Sequence, residues 1–134
     1  MQNNKIISLD VGERRIGVAI GDRQVRIASP LVTIDVDGRE IEVIKQITAS
    51  NDVDLVVVGY PRNQSGEITQ QTRFVEKFAD QLRELSVKVV FQDESLTSVL
   101  AEQMLDGYGK PYSKSDIDAQ AATLILQDYL DGLS

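Results

Sequence analysis

Residues 5–22 read KIISLDVGERRIGVAIGD, and the acid inside this stretch, Asp10, constrains the fold more than any other feature of the chain. Residues 5–9 are a short apolar run of the kind buried on both faces of a sheet, and the run ends in a carboxylate at the mouth of the predicted strand. Gly12 follows as a turn signal. Beyond it, Ile16, Val18 and Ile20 alternate with the small residues Gly17, Ala19 and Gly21. This period of two predicts a second strand that returns antiparallel to the first, so that the pair forms the middle of a sheet with Asp10 at one end.

Asp22, Arg23 and Gln24 make the next turn, and residues 25–34 read as a third strand that Pro30 either confines to an edge or breaks. Asp37 and Gly38 open a helix with Ile41, Ile44 and Ile47 on one stripe and Asp37 as its N-cap. Residues 54–58, DLVVV, are another buried strand. A strand, helix, strand order implies parallel pairing through a right-handed crossover, which brings the carboxyl end of this strand to the side of Asp10. The turn-rich loop 59–66, GYPRNQSG, sits there. Residues 69–85 form the clearest helix, with Phe74, Phe78, Leu82 and Leu85 on one stripe. Residues 87–91 are the next parallel strand and lead into Asp93 and Glu94. Ser95, Thr97 and Ser98 are candidate caps for a helix carrying Val99, Leu100 and Met104. Residues 106–114 read as a loop, and a final helix runs from about 115 to about 129.

Composition narrows the chemistry. The 134 residues fit one domain, 1–134, and contain neither cysteine nor histidine. That excludes disulfides, thiolate nucleophiles, serine–histidine triads and imidazole metal sites. With 21 acidic residues and a net charge of −7, carboxylates are the first place to look. The charge argues against a nucleic-acid coat protein, which needs a basic face, but not against a nuclease whose bound cations supply positive charge locally. No apolar run reaches membrane-spanning length and no basic-then-apolar leader is present, so a cytoplasmic protein with no membrane partner is expected.

In open sheets of this order, ligands bind beyond the carboxyl ends of the parallel strands. Asp10, the 59–66 loop and Asp93 with Glu94 all reach that edge, although acids there can also serve as helix caps. The last helix adds a fourth group. At 3.6 residues per turn, Asp118 shares a face with Ala121, Ala122, Ile125 and Tyr129, whereas Asp116 shares one with Gln120, Thr123 and Gln127. Asp118 thus heads the apolar face and needs a partner, since a lone buried charge is very costly. The plainer alternative is a first-turn acid favoured by the helix dipole.

Taken in order and spacing, LDVGERRIGVAIGD, GYPRNQSG, DESLTS and IDAQAATLILQDYL closely resemble the YqgF/RuvX family of pre-16S ribosomal RNA nucleases, also described as Holliday junction resolvase-like. The likeness spans roughly residues 5–130. It implies an α/β, ribonuclease H-like fold, a mixed five-stranded sheet with helices on both faces. It also carries the family's catalytic, metal-binding acids onto Asp10, Glu94 and Asp118. Three carboxylates suit Mg²⁺ or Mn²⁺, and two such ions about 3.5–4 Å apart support in-line displacement at phosphorus. The three carboxyl groups are then expected close enough to share a cation, with pKa values raised by mutual crowding. Gly12, Arg15, Arg62, Asn63 and Thr97 are the candidate substrate-binding residues, with Lys110 and Lys114 as a basic rim.

Where the family usually has an arginine after the acidic pair, this chain has Ser95, which removes a bidentate phosphate contact. Ser98 stands where threonine is frequent. The expected function is a cytoplasmic endonuclease acting on the precursor of 16S ribosomal RNA in ribosome biogenesis, with nucleic acid and ribosomal particles as partners, as a monomer or homodimer. The alternatives are a Holliday junction resolvase acting on branched DNA and a non-catalytic nucleic-acid-binding module. The DVG turn also resembles the phosphate loop of actin-like ATPases and sugar kinases, which need two such lobes where this chain supplies one.

Overall fold

A computed structural model of the chain describes residues 4–61, 69–94 and 97–133, without the side chain of Ser98. Five strands and four helices follow in the order β1 (Lys5–Val11), β2 (Arg15–Asp22), β3 (Ala28–Asp35), α1 (Glu40–Ser50), β4 (Leu55–Pro61), α2 (Gln70–Arg83), β5 (Lys88–Glu94), α3 (Thr97–Gly107) and α4 (Lys114–Asp131). They build one mixed sheet of order β3-β2-β1-β4-β5. β1 is central, antiparallel to β2 and parallel to β4, which in turn is parallel to β5. The expected parallel trio and the edge position of the proline-bearing strand are both present.

Alternation along the strands sorts the core into two layers. Ile7, Leu9 and Val11 of β1, with Ile16, Val18, Val56 and Val58, pack towards Ile44 of α1 and Val75, Phe78 and Leu82 of α2. Ile6, Ala19, Leu55 and Val57 pack on the other face against Ala122, Ile125, Leu126 and Leu130 of α4. The buried hydroxyl of Ser8 ties the second layer together by donating to the carbonyl of Ala122 at 2.6 Å. Asp10 continues the Ile6–Ser8 side of β1 and therefore opens towards α4.

Small residues on β2 bring α4 close. A Cβ built on Gly17 would overlap the Asp118 carbonyl, and one on Gly21 would lie 3.1 Å from both Leu126 and Leu130. The strand, as much as Ala121 and Ala122 of the helix, sets this approach.

Three local expectations change. Arg39, not Asp37, is the N-cap of α1 and makes no side-chain cap bond, because the Asp37 carboxylate instead accepts from the Arg39 N–H in the preceding turn. α3 runs to Gly107, so the following loop is shorter than its two glycines and proline suggest. α4 starts one residue early because Ser113 and Asp116 close a reciprocal capping box. Asp116 is thus an exposed acid that also serves as the N3 partner of the Ser113 cap. Gln120 and Thr123 beside it are buried, Gln120 directing its amide to Met104 of α3. α4 is covered by the sheet on one side and α3 on the other, so its middle, residues 119–126, is buried nearly all round.

Candidate active site

Backbone pairing sets the first two acids. Asp10 pairs with Gly17 across the β1–β2 ladder, so both lie on one face of the sheet, and the Asp118 backbone rests on the bare face of that glycine. A residue with a side chain at position 17 would hold the helix off. Gly17 is the means by which an acid 108 positions later in the chain is brought beside Asp10.

A second glycine does the same for Glu94. The last paired residues of β1 and β4 are Leu9 and Val58, one step short of Asp10 and Gly59. A Cβ on Gly59 would lie 2.9 Å from Glu94 Oε2 and 2.6 Å from Ile125 Cδ1, so the Glu94 carboxylate crosses β4 over this glycine towards β1. The neighbouring Asp93 is exposed and, by strand alternation, on the opposite face. Of the two adjacent acids only Glu94 turns to the Asp10 side. Its Oε2 accepts a hydrogen bond at 3.0 Å from the buried hydroxyl of Thr97, the first residue of α3.

The electrostatics fit this crowding. Burial, then the Glu94 charge, then the Asp118 charge push the Asp10 carboxyl up from 3.8 to about 7. Burial also raises Glu94, and the Thr97 hydrogen bond partly opposes it. Asp118 has a countercharge instead: Arg15 Nε donates to its Oδ2 at 2.6 Å, both side chains being partly buried. Asp10 thus feels both other acids, but no group of three acids among the described residues stands in a metal-holding arrangement. The donor set still fits a hard cation. It is all carboxylate oxygen, the donor type that a hard divalent cation takes, and Asp118 is engaged by Arg15.

The other expected site residues are placed as follows. Gly12 forms the β1–β2 turn, its N–H donating to the Arg15 carbonyl at 3.0 Å, so that N–H is already used. Arg14 is exposed at the hairpin tip. Lys110 and Lys114 are exposed, the latter one helical turn before Asp118. Arg62, Asn63 and Ser95 lie outside the described residues, as does the side chain of Ser98. Two further residues hold the edge together. Gln71 of α2 donates to the Val11 carbonyl at 3.1 Å, and Thr72 to the Pro61 carbonyl at 2.7 Å. No helix among the described residues is long and apolar enough to cross a membrane.

The profile of a family described as "RuvX: Holliday junction resolvase" matches residues 4–132. The chain belongs to the RuvX family. A relative from Chloroflexus aurantiacus, named "Putative pre-16S rRNA nuclease", is 50% identical over 136 residues, covering 98% of this chain and 89% of its own. One of the same name from Synechocystis sp. is 42% identical over 130 residues, covering 93% and 86%. Among solved structures, T. thermophilus RuvC in complex with Holliday junction substrate superposes with a TM-score of 0.57 at 16% identity, over 95% of this chain and 93% of that one. Fowlpox virus resolvase gives 0.53 at 14% identity, over 95% and 97%. The RuvX-family chain thus has the resolvase architecture, a ribonuclease H-like fold.

Proposed function

We propose that this RuvX-family chain is a divalent-cation-dependent endonuclease of the cytoplasm that processes the precursor of 16S ribosomal RNA. The observation that carries the reading is the convergence of Asp10, Glu94 and Asp118, from β1, β5 and α4, on one edge of the sheet, with the Asp10 carboxyl raised to about 7. A carboxylate kept that costly to ionise is poised to receive positive charge. The names of relatives up to 50% identical support the choice of substrate.

Asp10, Glu94 and Asp118 would hold Mg²⁺ or Mn²⁺, since all three offer hard oxygen donors and no histidine or cysteine competes. When bound, one or two such ions activate a water and offset the charge that develops at the scissile phosphate. The protein's own residues position the reactants. The Thr97 hydroxyl orients Glu94 Oε2, and Gly59 leaves the room in which that carboxylate lies. Arg15 would supply guanidinium donors for phosphodiester oxygens, and the sequence offers Arg62 and Asn63 for the same role. Gly12 contributes by shaping the turn that places Arg15. Ribosomal particles are the natural partners of such an enzyme.

The family description favours a second reading, cleavage of four-way DNA junctions by the same site. The test is incubation of the purified protein and its Asp10→Asn variant with a structured RNA spanning an end of precursor 16S rRNA and with a four-way DNA junction, each with Mg²⁺ or Mn²⁺. Cleavage of the RNA alone by the wild type supports the reading and cleavage of the junction alone replaces it with the second. Binding of either without cleavage would show a non-catalytic module.

A further inference from the structure

The Arg15–Asp118 ion pair lies inside the proposed site, yet a site in which Asp118 serves a cation has no use for it in this form. Both partners have fixed backbones. The Asp118 carbonyl rests against Gly17, and Arg15 is held by its ladder pairing with Asp35 and by the Gly12 N–H on its carbonyl. What remains free on each residue is the side chain. Two demands then meet on one carboxylate. Arg15 holds Oδ2 at 2.6 Å, while the Asp118 backbone rests on Gly17, the ladder partner of Asp10, so the same carboxylate borders the acidic edge that a cation would fill. The pair is only partly buried, with side-chain accessibilities of 31% and 22%, so solvent reaches both side chains.

Resting on the nuclease reading, we propose that Arg15 is a positioning residue that competes with the divalent cation for Asp118. With Asp118 turned to Arg15, the guanidinium offsets one of three crowded acids and the three-carboxylate set stays open. With Asp118 turned to the cation, the guanidinium is released beside the place where the phosphodiester is expected. A single side-chain rotation therefore links completion of the cation site to the appearance of a free phosphate donor. The linkage is reciprocal, because each event requires the same ion pair to break.

The test is a double-mutant cycle on Mn²⁺ affinity, measured on the full chain by calorimetry and by the electron paramagnetic resonance of free and bound Mn²⁺. The proteins are the wild type, Arg15→Gln, Arg15→Lys, Asp118→Asn, the Arg15→Gln/Asp118→Asn double variant and Asp10→Asn. Arg15→Gln keeps most of the aliphatic stem, and a thermal scan in chelator verifies that each variant folds. Arg15→Gln should bind Mn²⁺ about fivefold tighter than the wild type, the scale set by loss of a partly exposed ion pair. Arg15→Lys, which keeps the charge without the planar fork, should fall between them. The gain should shrink to less than about twofold in the Asp118→Asn background, because the competition acts through that carboxylate. Unchanged or weaker binding by Arg15→Gln would overturn the proposal, as would an equal gain in both backgrounds, which would mean simple removal of a positive charge. If the wild type binds Mn²⁺ no better than Asp10→Asn, the cation site itself fails and the proposal fails with it.

Discussion

Replacing Gly17 with alanine should damage both the fold and the site, more than the addition of one methyl suggests. The new Cβ would coincide with the Asp118 carbonyl and lie 2.9 Å from Ala119 N, all backbone atoms of a helix that cannot swing aside like a side chain. From 1.9 Å, restoring a separation of about 3.5 Å requires the start of α4 to retreat by roughly 1.5 Å. Overpacking of this kind costs about 1–3 kcal/mol. A loss near 2 kcal/mol lowers the melting temperature by roughly 4–10 °C for a chain of this size. The same retreat moves Asp118 away from Asp10, and a 1 Å misplacement of a reacting group can cost about 100-fold in rate. The assay is urea unfolding together with single-turnover cleavage. Gly107→Ala is the control: its Cβ meets nothing within 4 Å and it sits in the last turn of α3, so it should be neutral or slightly stabilising. Wild-type stability and activity in Gly17→Ala would refute the claim that this glycine seats α4 on the sheet.

In chelator, Asp10→Asn should be more stable than the wild type at pH 8. The folded carboxyl keeps its proton up to about 7 and the unfolded one loses it near 3.8, so the native state binds more protons between these values and its stability falls as pH rises through 7. Urea midpoints at pH 5 and 8 should show an excess loss of a few kcal/mol in the wild type, and parallel pH profiles for the two proteins would contradict this. Asp118→Asn should abolish most cleavage. Its effect on stability should be within about 1 kcal/mol, because loss of the partly exposed Arg15 pair opposes relief of repulsion at Asp10, and a much larger loss would assign the residue a mainly structural role. Asp116→Asn should leave cleavage intact but weaken the α4 capping box by about 0.5–1 kcal/mol, detectable as a lower midpoint. Gly59→Ala should impair cleavage by displacing the Glu94 carboxylate, and a variant with the wild-type rate would show that Glu94 does not need that space.

Much of this arrangement was legible in the chain because it depends on local periodicity. The 5–9 and 54–58 runs and the alternation after Gly12 fixed a central β1, an antiparallel β2 and a parallel β4, and helical spacing separated Asp118 from Asp116. The pairing of Arg15 with Asp118 was not legible, since it joins residues 103 positions apart and depends on how deeply α4 seats. The small residues at 17, 19 and 21 were the available signal, yet a period-two pattern does not tell which element they admit. Gly59 was hidden in a stretch that reads as a turn, although it lies within β4, which runs on to Pro61, and under a carboxylate. That Gln120 and Thr123 are buried was not legible, because helical spacing does not reveal that α3 packs on α4. The Asp37 cap failed for a local reason: the carboxylate bonds to Arg39 N–H within its own turn before the helix starts.

The central claim is that three carboxylates on separate elements make one cation-dependent cleavage site. Its most direct measurement is the single-turnover cleavage rate of a labelled precursor RNA by the wild type and by Asp10→Asn, Glu94→Gln and Asp118→Asn, each with Mg²⁺ and again after chelation. Cleavage by the wild type only when Mg²⁺ is present, with each folded variant slowed by at least about 100-fold, is the expected result. Undiminished cleavage in chelator, or by any one of the three variants in Mg²⁺, would contradict it.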